Sequence, residues 1–139
     1  MITNRSKPPG VIIPELAYDD VAVAAVWLCK AFGFRERLRI GDHRIQLLFE
    51  GASIVATERR DDTPTNHADH AVMVHVADVD AHHAMACAAG ARIGRVPTDY
   101  PYGERQYDAL DIGGHRWVFS QSMADVHPAD WGGELLDVS

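Results

Sequence analysis

The chain is poor in cysteine: Cys29 and Cys87 are the two thiols among 139 residues. That number cannot build the disulfide framework of a small secreted domain, so both are expected to be free. No histidine or acid stands at a catalytic-motif spacing from either. Positive charge is also short, with 13 lysines and arginines against 20 acids and a formal net charge of −7. Nucleic-acid binding needs a basic stripe, and none is present. The densest basic run, Arg35 to Arg39, alternates with Glu36 and Leu38 and reads as a solvated strand edge. Long apolar runs are missing too. The stretch from Val11 to Ala17 is far too short for a signal or membrane segment and is broken by Pro14. These absences give the expectation of a cytoplasmic protein with no nucleic-acid or membrane partner. What remains is ordinary for a soluble globular chain, 47% apolar and 24% charged, at a length that fits one domain.

The pattern of this domain is written twice. An apolar strand over Gly10–Tyr18 leads to Asp19-Asp20, which can cap a helix. The helix that follows carries Val21, Ala25, Leu28 and Phe32 on one stripe and ends at Gly33. Three strand-like runs come next: Phe34–Ile40, His43–Glu50 and Ala52–Glu58. A polar linker over 59–69 separates this unit from a second one. There a strand over His70–Val76 precedes the capping residue Asp78. A helix with Val79, His83, Ala86 and Gly90 on its stripe follows, then extended runs over Ala91–Val96, Glu104–Asp111 and His115–Gln121. Setting Asp20 on Asp78 also sets Val21 on Val79, Cys29 on Cys87 and Ala31 on Ala89. A βαβββ unit cannot cover both faces of its own four strands. Two of them therefore predict an α+β fold, a curved eight-stranded mixed sheet with helices outside and a concave groove inside. The expected organisation is one domain: module one over about 11–58, the linker 59–69, module two over about 70–121, and a tail over 122–139.

This duplication resembles the vicinal oxygen chelate superfamily of glyoxalases, extradiol dioxygenases, and fosfomycin and bleomycin resistance proteins. The helix entry Val76–Ile93 and the closing hairpin Pro101–Gln121 carry the likeness. The hairpin and the segment after it are similar to the glyoxalase/bleomycin resistance, or PhnB-like, branch. The resemblance implies a homodimer. In metal-dependent members it also implies four His or Glu side chains holding one divalent ion, one from the first and one from the last strand of each module. Such donors must converge within about 2.0–2.3 Å of the metal. Here those positions fall on Ile13, Ile54 or Val55, Ala71 and Val118, which are all apolar. No metal site is therefore expected at the family position. Glu15, His43, His70 and His75 stay open as an unconventional set. The histidine pairs His67/His70 and His82/His83 read as solvated surface.

Strand alternation then assigns the groove. Glu15 and Ala17 from the first strand, and Met73 and His75 from the fifth, should line it. Arg105 and Tyr107 from the seventh, and Arg116, Val118 and Ser120 from the eighth, should join them, with Tyr102 in the adjoining loop. An apolar floor with scattered polar groups suits a small organic ligand, one whose carboxylate or phenolate an arginine fork can grip. The alternative is structural: Arg105 pairing with Glu104 or Asp108, and Arg116 with Glu15. Three functions remain open. One is a metal-free, cofactor-free binder of a small molecule. Another is a lyase, isomerase or dioxygenase, using either a metal or Glu15 and His75 as acid–base groups. The third is an accessory protein without a ligand. The first is the expected one.

Overall fold

Two aspartates start the helices that organise the chain. In the computed structural model, which describes residues 2–60 and 70–136, Asp20 accepts a hydrogen bond from the Val23 amide at 3.1 Å and Asp78 one from the Ala81 amide at 3.0 Å. Each satisfies an amide that the first helical turn leaves unpaired. Helix α1 spans Val21–Phe32 and helix α2 spans Val79–Ala88. Gly33, at φ 86°, closes α1 by donating to the carbonyls of Cys29 and Leu28.

Each helix belongs to one βαβββ module. The strands of the first are β1 (Glu15–Tyr18), β2 (Arg35–Ile40), β3 (Arg44–Phe49) and β4 (Ala52–Glu58). Those of the second are β5 (Val72–His75), β6 (Arg92–Asp99), β7 (Glu104–Leu110) and β8 (Arg116–Ser122). The eight strands form two four-stranded mixed sheets, ordered β1-β4-β3-β2 and β5-β8-β7-β6. β1 runs parallel to β4 and β5 parallel to β8; the other pairs are antiparallel. Among the described residues no main-chain ladder joins the sheets, so the groove expected across one sheet is divided between two faces. β1 is shorter than its apolar run suggests. Pro14 offers no amide, and the ladder stops where its carbonyl accepts from Val55. Val11 and Ile12 are left 99% and 88% exposed. Of the expected linker, 61–69, including His67, lies outside the described residues, as do tail residues 137–139.

Both modules share one core between their helices and the helix-facing sides of the sheets. Phe32 sits at its centre, with ring centroids 5.0 Å from Trp27, 5.3 Å from Trp117 and 4.8 Å from Phe119. The α1 stripe of Val21, Ala25, Leu28 and Phe32 is fully buried, as its spacing predicts. On α2 the buried histidine is His82 rather than His83. The reading of His82/His83 as a surface pair is thus wrong for His82: Val79 and Ala86 of the expected stripe are buried, and His82 rather than His83 lies between them, held by Phe32 and Tyr107. His82 Nε2 donates to the Phe32 carbonyl at 2.9 Å, and Nδ1 accepts from the Tyr107 hydroxyl. A carbonyl can only accept, so Nε2 carries a proton. Burial holds the ring's pKa below the ordinary value and favours the neutral Nε2–H tautomer.

A second buried polar hub joins the modules. Asp111 Oδ2 accepts from the Tyr18 hydroxyl at 2.6 Å and from Trp117 Nε1 at 3.0 Å. Its Oδ1 accepts from the amides of Gly113 at 2.9 Å and His115 at 3.0 Å. His115 Nε2 donates to the Ala17 carbonyl at 2.8 Å. Burial, then the Asp111 charge, pushes the Tyr18 phenol well above its usual pKa.

Candidate functional site

The helix-free face of the second sheet carries a row of polar side chains fixed by one another. The Ser120 hydroxyl donates to Glu104 Oε1 at 2.7 Å and accepts from Gln106 Nε2 at 3.1 Å. Tyr102 donates to Gln106 Oε1 at 3.0 Å. His75 Nε2 stands 3.7 Å from Glu104 Oε1, with its ring largely exposed. Burial raises the pKa of Glu104, but hydrogen bonds from Ser122 and Ser120 and the neighbouring His75 outweigh it, so the carboxyl sits below its ordinary value. Further along the face, Asp108 accepts from Arg116 at 3.0 Å and has Arg95 Nε 3.6 Å away. Two guanidinium groups thus share one carboxylate. Arg95 also donates to the Tyr100 hydroxyl at 2.6 Å. The Tyr100 and Tyr102 rings stack at 5.4 Å, and Trp131 stands edge-on to Tyr102 at the same distance.

Beside this row lies a cavity of about 490 Å³ at the seam between the modules. Phe34 and Phe49 line it from module one, Ile12 and Pro14 from the segment before β1, and Val72, Met73, Val74, His75 and Trp117 from module two. Met73 is 62% exposed. Met73 and His75 therefore belong to both the cavity and the polar face, as the alternation of β5 predicts.

Other expected groove residues are placed differently. Val118 and Ser120 lie on the helix-free face of β8, and Arg116 shares it. Arg105 and Tyr107 do not. Tyr107 is 0% exposed, against His82 and Phe119 on the helix side, and burial pushes its phenol far above the usual pKa. Arg105 bonds Asp80 on α2 at 3.0 Å and Asp99 at 3.2 Å, which raise its pKa, and pairs with neither Glu104 nor Asp108. The face of β7 is thus the reverse of the expected one, and Glu104, Gln106 and Asp108 hold the groove positions. Tyr107 and Ala109 are the less polar alternate set of that strand, which was the signal for the correct sense. Glu15 lies on the other sheet, paired with Arg44 at 2.6 Å rather than with Arg116. It is not among the residues of the seam cavity. On α2, the exposed thiol of Cys87 lies 3.4 Å from His83 Nε2. The i, i+4 spacing on one helix face brings the two side chains together.

Residues 11–119 match the family model described as Glyoxalase/Bleomycin resistance protein/Dioxygenase superfamily. The chain belongs to this superfamily. Among solved structures, the superfamily fold recurs in TioX from Micromonospora sp. ML1. It is 34% identical, with 85% of this chain and 100% of that one covered and a TM-score of 0.68. TnmS3, an antibiotic binding protein from Streptomyces sp. CB03234, is 21% identical over 81% of this chain and 95% of its own, with a TM-score of 0.67. A glyoxalase-related enzyme from Fulvimarina pelagi is 18% identical over 94% and 99%, with a TM-score of 0.71. No curated protein matches the chain. The positions onto which the resemblance carries the family's metal ligands hold Ile13, Ile54 or Val55, Ala71 and Val118. Val55 and Val118 occupy the helix-free faces of β4 and β8, beside β1 and β5, while Ile54 points into the core. None of these side chains has a donor atom, so the set at the carried-over positions does not fit a divalent ion. Among the described residues no three His, Cys, Asp or Glu side chains converge to hold one elsewhere. No described helix is long and apolar enough to cross a membrane.

Proposed function

We propose that this protein binds a small organic molecule on the helix-free face of module two, its apolar part in the seam cavity and a polar group against His75 and Glu104. The observation that carries the reading is the fixed row Tyr102–Gln106–Ser120–Glu104 beside the exposed Met73 and His75. Side chains already hydrogen-bonded in place lose little freedom when a ligand arrives. A cavity of this volume, mostly apolar with a few oriented polar groups, has the make-up of a small-molecule site. The shared fold of TnmS3, an antibiotic binding protein, supports it. A second copy of the chain is the wall this open site needs: β1 and β5 end their sheets unpaired in the described residues, next to the exposed Ile12 and Met73. Arg116 and Val118 flank the site on the helix-free face of β8, whereas Glu15, Tyr107 and Arg105 lie outside it.

The test is calorimetric titration with a panel of aromatic amines and aromatic acids, alongside sedimentation of the free protein. Saturable binding, one ligand per chain, without consumption of the compound and with affinity reduced at least about tenfold by Met73→Asp and by Glu104→Gln, is the expected result. Binding unaffected by either substitution would remove the assignment. A second reading, acid–base turnover, is favoured by the His75–Glu104 contact alone. It requires product formation that survives a chelator and is lost in His75→Gln.

A further inference from the structure

Three arginines scattered in the sequence meet at one end of the helix-free face of module two. Arg92 on β6 lies opposite Leu110 on β7, and Leu110 lies opposite Arg116 on β8. Residues directly opposite across a ladder share a face, so Arg92 stands on the same face as Arg116, one strand away. Arg95 lies opposite Asp108, which lies opposite Val118. Three residues apart on a regular strand, Arg92 and Arg95 would point to opposite faces. The bulge of β6 between Ile93 and Arg95 brings them to the same one.

One acid stands among them, and it does not balance them. Asp108 Oδ2 accepts from Arg116 Nη2 at 3.0 Å and has Arg95 Nε 3.6 Å away. That Nε is buried and makes no hydrogen bond. Arg92 is exposed and pairs with no acid among the described residues. The carboxylate is also recessed. A Cβ on Gly94 would lie 2.5 Å from Asp108 Oδ1, so the glycine lets Asp108 sink against β6, where it is 9% exposed. The side chain of Arg116 remains 44% exposed. The surface that a ligand meets at this end is therefore positive. The other end is negative, where Glu104 accepts from Ser120 at 2.7 Å. Ser120 and Arg116 are four residues apart on β8, about 13 Å. Between them lies Val118, with Met73 of the seam cavity opposite it on β5.

We infer that the molecule bound on this face is an organic acid, its carboxylate or phosphate group gripped by Arg116 and Arg92 and its apolar body over Val118 and Met73. The inference rests on the site proposed above and names the class of its ligand. A guanidinium with unspent donors offers an oxyanion two parallel N–H bonds. Arg116 spends one nitrogen on Asp108 and Arg92 spends none on an acid. Arg95 is committed to the Tyr100 hydroxyl at 2.6 Å and to Asp108, so it adds charge rather than a free donor. Glu104 repels the same anion at the far end. The acid group is thereby directed to the arginines, and the ligand lies on the face in one direction.

Calorimetric titration of the full chain with 4-phenylbutanoate, phenethyl phosphate and the uncharged 4-phenylbutanamide is the test. At least one of the two anions is expected to bind about tenfold or more tighter than the amide, an advantage that shrinks as salt is added. Whichever anion binds tighter identifies the ligand as a carboxylic acid or a phosphate ester. Arg92→Gln combined with Arg116→Gln should abolish the advantage and leave binding of the amide unchanged, with melting curves showing that the variant is folded. Met73→Ala should weaken acid and amide alike. Equal affinity for acids and amide, with both weakened by Met73→Ala, would overturn this inference and leave the binding site standing. Loss of the advantage in the arginine variant with no effect of Met73→Ala would support the arginine site and remove the apolar part from the seam cavity. An advantage that persists without the two arginines, or no binding of any probe at millimolar concentration, would overturn the inference.

Discussion

Removing one oxygen tests the reading of the shared core. Tyr107→Phe deletes the hydroxyl that donates to His82 Nδ1 and leaves the rest of the ring in its packing against Phe119. No volume is opened beyond that atom, so the cost is the acceptor left dry at His82. An unsatisfied buried acceptor costs about 1–3 kcal/mol. For a chain of this length, an unfolding entropy of about 2.1 cal/mol/K per residue sums to about 0.3 kcal/mol/K, so Tm should fall by roughly 3–10 °C. The same imidazole predicts an acid limb. Its pKa is lowered in the folded state, so below the unfolded value of about 6.5 the unfolded chain takes up a proton that the folded chain refuses. Stability is therefore full above that pH and is lost as pH falls through it, by up to about 1.4 kcal/mol per pH unit while the folded ring stays neutral. Urea unfolding from pH 8 to pH 5 measures this. His82→Gln, which keeps a donor and an acceptor but no titration, should flatten the limb. An unchanged Tm in Tyr107→Phe, or an identical acid limb in His82→Gln, would refute the buried neutral tautomer.

Two further substitutions probe other joints. Asp111→Ala strips the acceptor from Tyr18, Trp117 and two amides at once and should cost at least about 3 kcal/mol in denaturant unfolding. A value under about 1 kcal/mol would show that the hub is not what ties the modules. Glu50 is exposed in the β3–β4 turn at φ 53°, where a side chain is disfavoured. Glu50→Gly should stabilise by up to about 1 kcal/mol, seen as a higher urea midpoint with an unchanged slope.

The architecture was legible because its signals are local. Aspartate caps, the α1 stripe and the glycine stop are read from neighbouring residues, and their duplication gave the two modules. Faces were harder. In β5 and β8 the pairs Val72/Val74 and Trp117/Phe119 fall on alternate positions, and the sense of each strand followed directly. β7 mixes Arg105 and Tyr107 with Glu104 and Gln106, and only its pairing shows that Tyr107 faces α2. His82 escaped for a related reason. α2 is rich in alanine, so its sequence defines no sharp stripe, and the buried histidine is selected by contact with Phe32 and Tyr107, distant in sequence. The bonds from Arg37, Gln46 and Ser53 to the carbonyls of Arg5, Ser6 and Pro9 could not be foreseen, since every residue possesses a carbonyl.

β1 and β5 are four residues each, and Pro14 stands immediately ahead of β1. A neighbouring chain that docks by extending either ladder gains a few main-chain hydrogen bonds and no more. Runaway strand-to-strand growth, the usual hazard of an uncovered sheet margin, is thereby starved of the long repetitive contact it depends on. Any durable partnership at these margins must be decided by side chains such as Ile12 and Met73. Discrimination between a correct mate and a chance encounter in a crowded solution is then a matter of surface shape, not of backbone stickiness.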